Sequence, residues 1–235
     1  MDVASDLAPT GTLRASINLG NPVLAQGTPD SPSGVTVDIA RELAARLNLP
    51  VELRCFQAAR DSFAAMERGE ADICFLAIDP ARAESVAFTA PYAVIEGAFA
   101  VPETSPLRAA ADVDRPGVRI GVKAGSAYDL HLSRTLEHAE VVRGVEGTTV
   151  FTEQRLDVAA GIRQPLADFA AARGDLRLLE PAFMEIRQAV GTTRSRHGRT
   201  VAWLRDAVEQ LKASGFIAAS LDRAGRRDVT VAPPD

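Results

Sequence analysis

The sequence predicts an α/β fold of two units with a return path. Three observations carry this. Short β-like runs alternate with helical runs along the 235 residues. The run ADICFLA (71–77) is apolar on both faces, as in the centre of a parallel sheet. The alternation then restarts after residue 92.

LRASINL (13–19) reads as a strand, and the Pro- and Gly-rich NPVLAQGTPDSPSG as a loop. VDIARELAARLN (37–48) is helical, with Ile39, Leu43 and Leu47 on one stripe. VELRCF (51–56) is a strand. DSFAAMERGE (61–70) is a short helix ending near Gly69. In the second unit AVIEGAFAVP (93–102), VRIGV (118–122), AEVV, LDVAAGI, LRLL and QAVGTT (188–193) read as strands. AYDLHLSRTL, a short segment after AEVV, and QPLADFAAARG read as helices. TVAWLRDAVEQLKASG (200–215) aligns Val201, Leu204, Val208 and Leu211 on one face, with Trp203 expected in the core and Gly215 as C-cap.

Hydrophobic residues make up 46% and charged residues 24%, with a formal net charge of -5, so the composition is globular. No basic block interleaved with aromatics is present, which argues against a nucleic-acid partner. His131, His138 and His197 are not at metal-ligand spacing, and no metal or other cofactor is expected. Cys55 and Cys74 each lie in an apolar run and read as buried free thiols. No segment approaches the roughly 18 apolar residues of a membrane span. The N-terminus has neither the basic nor the apolar region of a signal peptide.

AIDPARAESVAFTAPY (77–92) raises a specific question. Asp79 suits a helix N-cap and Pro80 the first helical position. Arg82 then falls in the first turn, where a cation opposes the helix dipole. Such an arginine needs a partner: a ligand, or Asp79 or Glu84.

The ordered motifs resemble the family 3 extracellular solute-binding proteins, the binding components of polar amino-acid ABC importers. They are Gly34 to Asp38, Gly69 to Asp72, Arg82 with Phe88-Thr89-Ala90-Pro91-Tyr92, and Gly125-Ser126. The resemblance spans nearly the whole chain. It implies the type II periplasmic-binding-protein fold, two α/β lobes joined by two crossing strands and closing on a ligand. Lobe 1 would be residues 1–103 and 187–235, and lobe 2 residues 104–186. Hinges would lie near 101–104 and 185–188, with Gly97 and Phe99 near the exit from lobe 1. The first strand would separate those carrying Cys55 and Cys74, leaving the thiols free.

The resemblance also implies roles. Arg82 would hold a ligand carboxylate beside Ala77 and Asp79, although Asp79, where the family has Thr, serves equally as a cap. Gly125, Ser126 and Ala127 would complete the grip through backbone N–H groups, or form a plain strand-to-helix turn. Two positions depart from the family. Ile162 stands where an acid usually pairs with the ligand ammonium, and Arg163 follows it. The loop after the first strand lacks the usual stacking aromatic, leaving Asn18 and Asn21 to hydrogen-bond and Phe56 to wall the pocket. Arg82, Arg163 and the Gly125-Ser126 turn together suggest an anionic ligand, a small carboxylate-bearing organic acid or amino acid, with a dicarboxylate or oxo acid fitting better than a basic amino acid and ligands lacking an α-amino group bound at least as well. Asp79 and Glu96 are the alternative partners for an ammonium. A rival reading is a cyclohexadienyl-dehydratase-like enzyme, which would need a general acid such as Glu96 or Glu185. The expected partners are the ligand and an ABC permease or sensor, with the protein a monomer. The expected location is periplasmic if a leader was removed and cytoplasmic if Met1 is the native start.

Overall fold

The computed structural model describes residues 2–235. The chain divides into two compact units, one up to Val94 together with Arg187–Asp235, the other Ile95–Ile186. The expectation from sequence places the first crossing later, after residue 103.

Unit 1 contains α1 (Val3–Leu7), β1 (Leu13–Asn18), β2 (Gln26–Thr28), β3 (Ser31–Ser33), α2 (Val35–Arg46), β4 (Val51–Phe56), α3 (Ala59–Glu67), β5 (Ile73–Ala77) and α4 (Pro80–Ala83). β6 (Val86–Pro102) leads into unit 2. There follow a 3₁₀ turn (Ala110–Asp112), β7 (Arg119–Lys123), α5 (Ala127–Thr135), β8 (Glu140–Gly144), α6 (Gly147–Glu153), β9 (Val158–Ile162), α7 (Arg163–Arg173) and β10 (Leu176–Leu178). β11 (Met184–Thr193) returns the chain to unit 1, which ends with α8 (Gly198–Ala213), α9 (Phe216–Arg223) and β12 (Thr230–Val231).

In unit 1 the strand order is β4-β1-β5-β11. β1 runs parallel to β4 and β5, and β11 is antiparallel to β5. Asn18 pairs with Phe56 in register, so the carboxyl ends of β1 and β4 lie together. Continuing the β1–β5 register from Ser16–Cys74 brings the end of β5, at Ala77, to the same edge. β1 separates Cys55 from Cys74, and both thiols are free. Cys55 is half-buried rather than buried, because β4 is the outer strand of this order. Burial pushes the Cys74 thiol up to about 12, so it is inert.

In unit 2, β7 pairs parallel with β8 and β9, while β6 runs antiparallel to β9 and β10. β6 residues 97–102 take part in these ladders, which is why unit 2 begins before residue 103. Ala98, Ala100, Val150, Phe151, Leu156 and Leu166 belong to its core.

Four expectations need correction. The helix after Asp79 is a single turn, Pro80–Ala83. It has too few aligned peptides for a substantial dipole, so the dipole objection to Arg82 lapses. Phe88 to Tyr92, which the family resemblance implies close that helix, instead lie in β6, where Tyr92 packs edge-on against Phe75 at 6.3 Å. The loop after β1 contains the hairpin β2–β3. Trp203 and Val201 are half-buried, while Leu204, Ala207, Val208 and Leu211 form the buried stripe of α8.

Two elements escaped the sequence reading. α1 is capped by Asp2, whose side chain accepts from the Ser5 N–H. α9 starts after Gly215, whose φ of 76° ends α8 and opens the next helix. α9 gives Asp38 of α2 its partners, since Ser220 Oγ and Arg223 Nη2 both donate to Asp38 Oδ2.

Candidate functional site

The edge formed by the carboxyl ends of β1, β4 and β5 collects most of the residues expected in unit 1. Open α/β sheets bind ligands at such edges. Ala77 ends β5 and is buried. Asp79 caps α4 by accepting the Ala81 N–H at 2.9 Å, and is itself buried. Arg82 is only 3% exposed. Its Nη1 donates to the Ala77 carbonyl at 3.2 Å. Burial pushes the Arg82 guanidinium below its ordinary value, while the nearby Asp79 carboxylate and Cys74 act the other way. The group stays cationic at physiological pH.

A guanidinium in this setting is costly unless it meets negative charge. Asp79 supplies part of that while also capping α4. Arginine offers five N–H donors in a fork that matches a carboxylate. Phe56, at the end of β4, is half-buried at the same edge. Asn18 ends β1, and its Oδ1 accepts the Gly20 N–H at 3.0 Å. Asn21 is buried in the loop that follows.

The residues expected in unit 2 are committed differently. Ser126 caps α5, its Oγ accepting the Asp129 N–H at 3.1 Å. Asp129 returns the contact, its Oδ2 accepting the Gly125 N–H at 2.8 Å. The Ser126 N–H donates to the Lys123 carbonyl. The turn therefore holds its own carboxylate on Gly125, and Arg143 pairs with that carboxylate in turn. Ala127 opens α5.

Ile162 is the residue before α7 and is half-buried. Arg163 Nε meets Glu96 Oε2 at 3.1 Å, and its Nη2 meets Glu180 Oε1 at 2.6 Å. Two carboxylates thus flank one guanidinium. Arg163 is not an open anion receptor, and Glu96 is already taken as an ammonium partner. Glu96 and Glu185 are both exposed. Nothing in the local sequence signals the Arg163 pairs, because Glu96 and Glu180 reach it only through folding.

A cavity of about 590 Å³ lies wholly in unit 2, lined by residues including Pro102, Ser105, Phe151, Arg155 and Arg173. None of the expected site residues lines it. Arg173 is bound to Asp175, and Asp157 accepts the Arg119 N–H, so two of its three charged lining residues are already engaged. Among the described residues no group of three or more His, Cys, Asp or Glu could hold a metal ion. No helix among them is long and apolar enough to cross a membrane.

The fold has many solved counterparts. ArgBP from T. maritima superposes with a TM-score of 0.77 at 18% identity, over 95% of this chain and 99% of that one. A cysteine-binding protein from Campylobacter jejuni gives 0.77 at 15% identity, over 95% and 93%. An ancestral amino acid-binding protein, described as a precursor of cyclohexadienyl dehydratase, gives 0.75 at 19% identity, over 94% and 99%. No curated protein matches the sequence significantly. The family described as bacterial extracellular solute-binding proteins, family 3, matches residues 17–225, and the chain belongs to it.

Proposed function

We propose that the protein captures a small carboxylate-bearing solute, an amino acid or related organic acid, for an ABC importer or a sensor, with Arg82 holding the carboxylate. One observation carries the residue assignment. A guanidinium 3% exposed stands at the carboxyl edge of the unit 1 sheet, where such folds bind ligands. A planar carboxylate taking two of its donors in parallel gives the strongest neutral-pH contact open to it.

Support for the ligand class comes from counterparts whose names specify cysteine or amino acids. The dehydratase reading is not favoured, since that precursor is itself described as a binding protein. Asn18, Asn21, Phe56 and Asp79 supply the rest of the unit 1 wall. In unit 2, Ala127 and the first turn of α5 remain the candidates, because Gly125 and Ser126 already donate internally. A monomer passing its solute to a permease fits this role. So does export, given a family of extracellular proteins.

A thermal-shift screen over carboxylates and matched carboxylate-free analogues tests it. A ligand at 100 times its dissociation constant adds roughly 2.7 kcal/mol. In a chain of this size that moves Tm by roughly 5–11 °C. Shifts confined to carboxylates support the reading. A shift from the uncharged amide of a ligand equal to that from its acid would overturn it.

A further inference from the structure

β4 is the outer strand of unit 1, and β1 is the strand that pairs with it. The phase of that ladder is fixed at both ends. The Leu13 N–H donates to the Pro50 carbonyl, and the Leu19 N–H to the Phe56 carbonyl. In a parallel ladder alternate residues turn their backbone groups to the same neighbour. Glu52, Arg54 and Phe56 therefore present theirs to β1. The N–H and C=O groups of Val51, Leu53 and Cys55 face away from it, and they have no hydrogen-bond partner among the described residues. The side chains divide in the same way. Val51, Leu53 and Cys55 share one face of the strand, each half-buried. Glu52 and Arg54 share the other, where Arg54 Nε meets Glu52 Oε1 at 2.8 Å.

An open strand edge is a template for another strand, and charged side chains commonly defend it. In β4 the two signs of charge leave one register open. Two copies meeting antiparallel about a two-fold axis keep their side chains on matching faces when the axis passes through a residue. Centred on Glu52 or on Arg54, the pairing sets like charges opposite each other. Centred on Val51 or Cys55, the overlap is short. Centred on Leu53, it sets Glu52 against the partner's Arg54 and Val51 against the partner's Cys55, each twice, with Leu53 on the axis. β8, the outer strand of unit 2, offers no such match. Centred on Val142, it sets Val141 against the partner's Arg143, a cation already bound to Asp129 in its own chain.

We propose that β4 is a self-association surface, pairing antiparallel with β4 of a second copy of this chain about Leu53. Val51, Leu53 and Cys55 each exchange both backbone hydrogen bonds with the residue opposite. Glu52 and the partner's Arg54 then fall in the closely spaced non-bonded pairs, where cross-strand side chains approach most nearly. On the other face, the half-buried Val51, Leu53 and Cys55 continue into the same residues of the partner and lose their remaining contact with water. The contact is one strand long, well short of a permanent interface, so the dimer exchanges with the monomer.

Sedimentation of the full chain over a micromolar-to-millimolar concentration series tests this, with the mass expected to rise from monomer towards dimer. Leu53→Pro removes an outward N–H that β1 does not use, so it should keep the fold by circular dichroism and stay monomeric. Glu52→Arg and Arg54→Glu should each weaken the dimer about tenfold by setting like charges opposite, and the two together should restore it to within about threefold. Val51→Cys reads the register: mild oxidation should join it to the partner's Cys55, as mapped by peptide mass spectrometry. The parent should form no such link, because Cys55 and the partner's Cys55 stand roughly 14 Å apart along the paired strands, beyond the reach of a disulfide. A parent that is monomeric throughout overturns the proposal. So does a Leu53→Pro dimer as strong as the parent's, a double exchange no better than either single one, or a parent cross-link through Cys55 itself.

Discussion

Two arginines follow the ends of strands in this protein, and the two units treat them oppositely. Arg82, after β5, is withdrawn from water beside a backbone carbonyl and Asp79. Arg163, after β9, is half-exposed and flanked by Glu96 and Glu180. Both arginines lie in the first turn of the helix that follows their strand; the electrostatic surroundings differ. One site is a dehydrated guanidinium with a single acid nearby, the other an exposed cluster with one more negative charge than positive.

The contrast extends to the residues that lead into these strands. In unit 1 the fully buried Asp72 accepts the Arg14 N–H and pairs with the side chains of Arg14 and Arg196. In unit 2 the exposed Asp157 accepts the corresponding N–H of Arg119. At this pair of corresponding positions unit 1 buries its carboxylate and unit 2 exposes it. A buried charge is held in place by what it would lose on moving, which makes it the better anchor for a ligand.

The sharpest way to break this comparison is to remove both aspartates. Asp72→Ala strips a buried partner from two arginines and should cost about 3–5 kcal/mol of stability. Asp157→Ala loses one backbone contact at the surface and should cost about 1 kcal/mol. Urea denaturation of the two variants reads the difference. Equal costs would mean that the burial contrast has no energetic content.

A smaller effect comes from the turns ahead of those aspartates. Gly69 has φ of 68° after α3, and Arg155 has φ of 49° after α6. Left-handed backbone costs an ordinary residue about 1–2 kcal/mol. Gly69→Ala should therefore lose about 1 kcal/mol. Arg155→Gly should gain about half that, since glycine also loses more chain entropy on folding. A loss on Arg155→Gly in the same denaturation experiment would show that its side chain contributes more than its backbone costs.

The smallest effect concerns acid. The half-buried Asp114 of unit 2 accepts the backbone N–H groups of Glu137, Ala139 and His138, which hold its carboxyl below the ordinary 3.8. A lowered pKa gives stability that is full above the unfolded value and fades as pH falls through the folded one. Asp114→Asn should therefore be less stable than the parent at pH 6. The gap should narrow as pH drops below about 4. Urea midpoints across that range test it, and a gap that stays constant would contradict the linkage.

Much of this was legible from sequence where local signals agree. VELRCF is a strand in its predicted bounds because Pro50 precedes it and a helix-forming run follows. Arg82 was legible because Asp79 and Pro80 mark a helix start just after an apolar strand. Other features were hidden for physical reasons. Pro91 argues against a strand interior, yet β6 runs through it. Gly215 read as a stop because a left-handed glycine ends a helix; here it also starts α9. The pairing of Arg163 with Glu96 and Glu180, and the internal use of the Gly125 N–H by Asp129, depend on register and packing that no local pattern encodes. That is why Arg163 read as an anion receptor.

The most direct test is a side-by-side calorimetric titration of Arg82→Met and Arg163→Met with the tightest-binding carboxylate of the screen. Arg82→Met should lose about 2–5 kcal/mol of affinity, roughly thirtyfold or more, with the fold retained by circular dichroism. Arg163→Met should stay within about threefold of the parent, since its cation is already spent on two acids. A larger loss from Arg163→Met than from Arg82→Met would contradict the assignment of the carboxylate to unit 1.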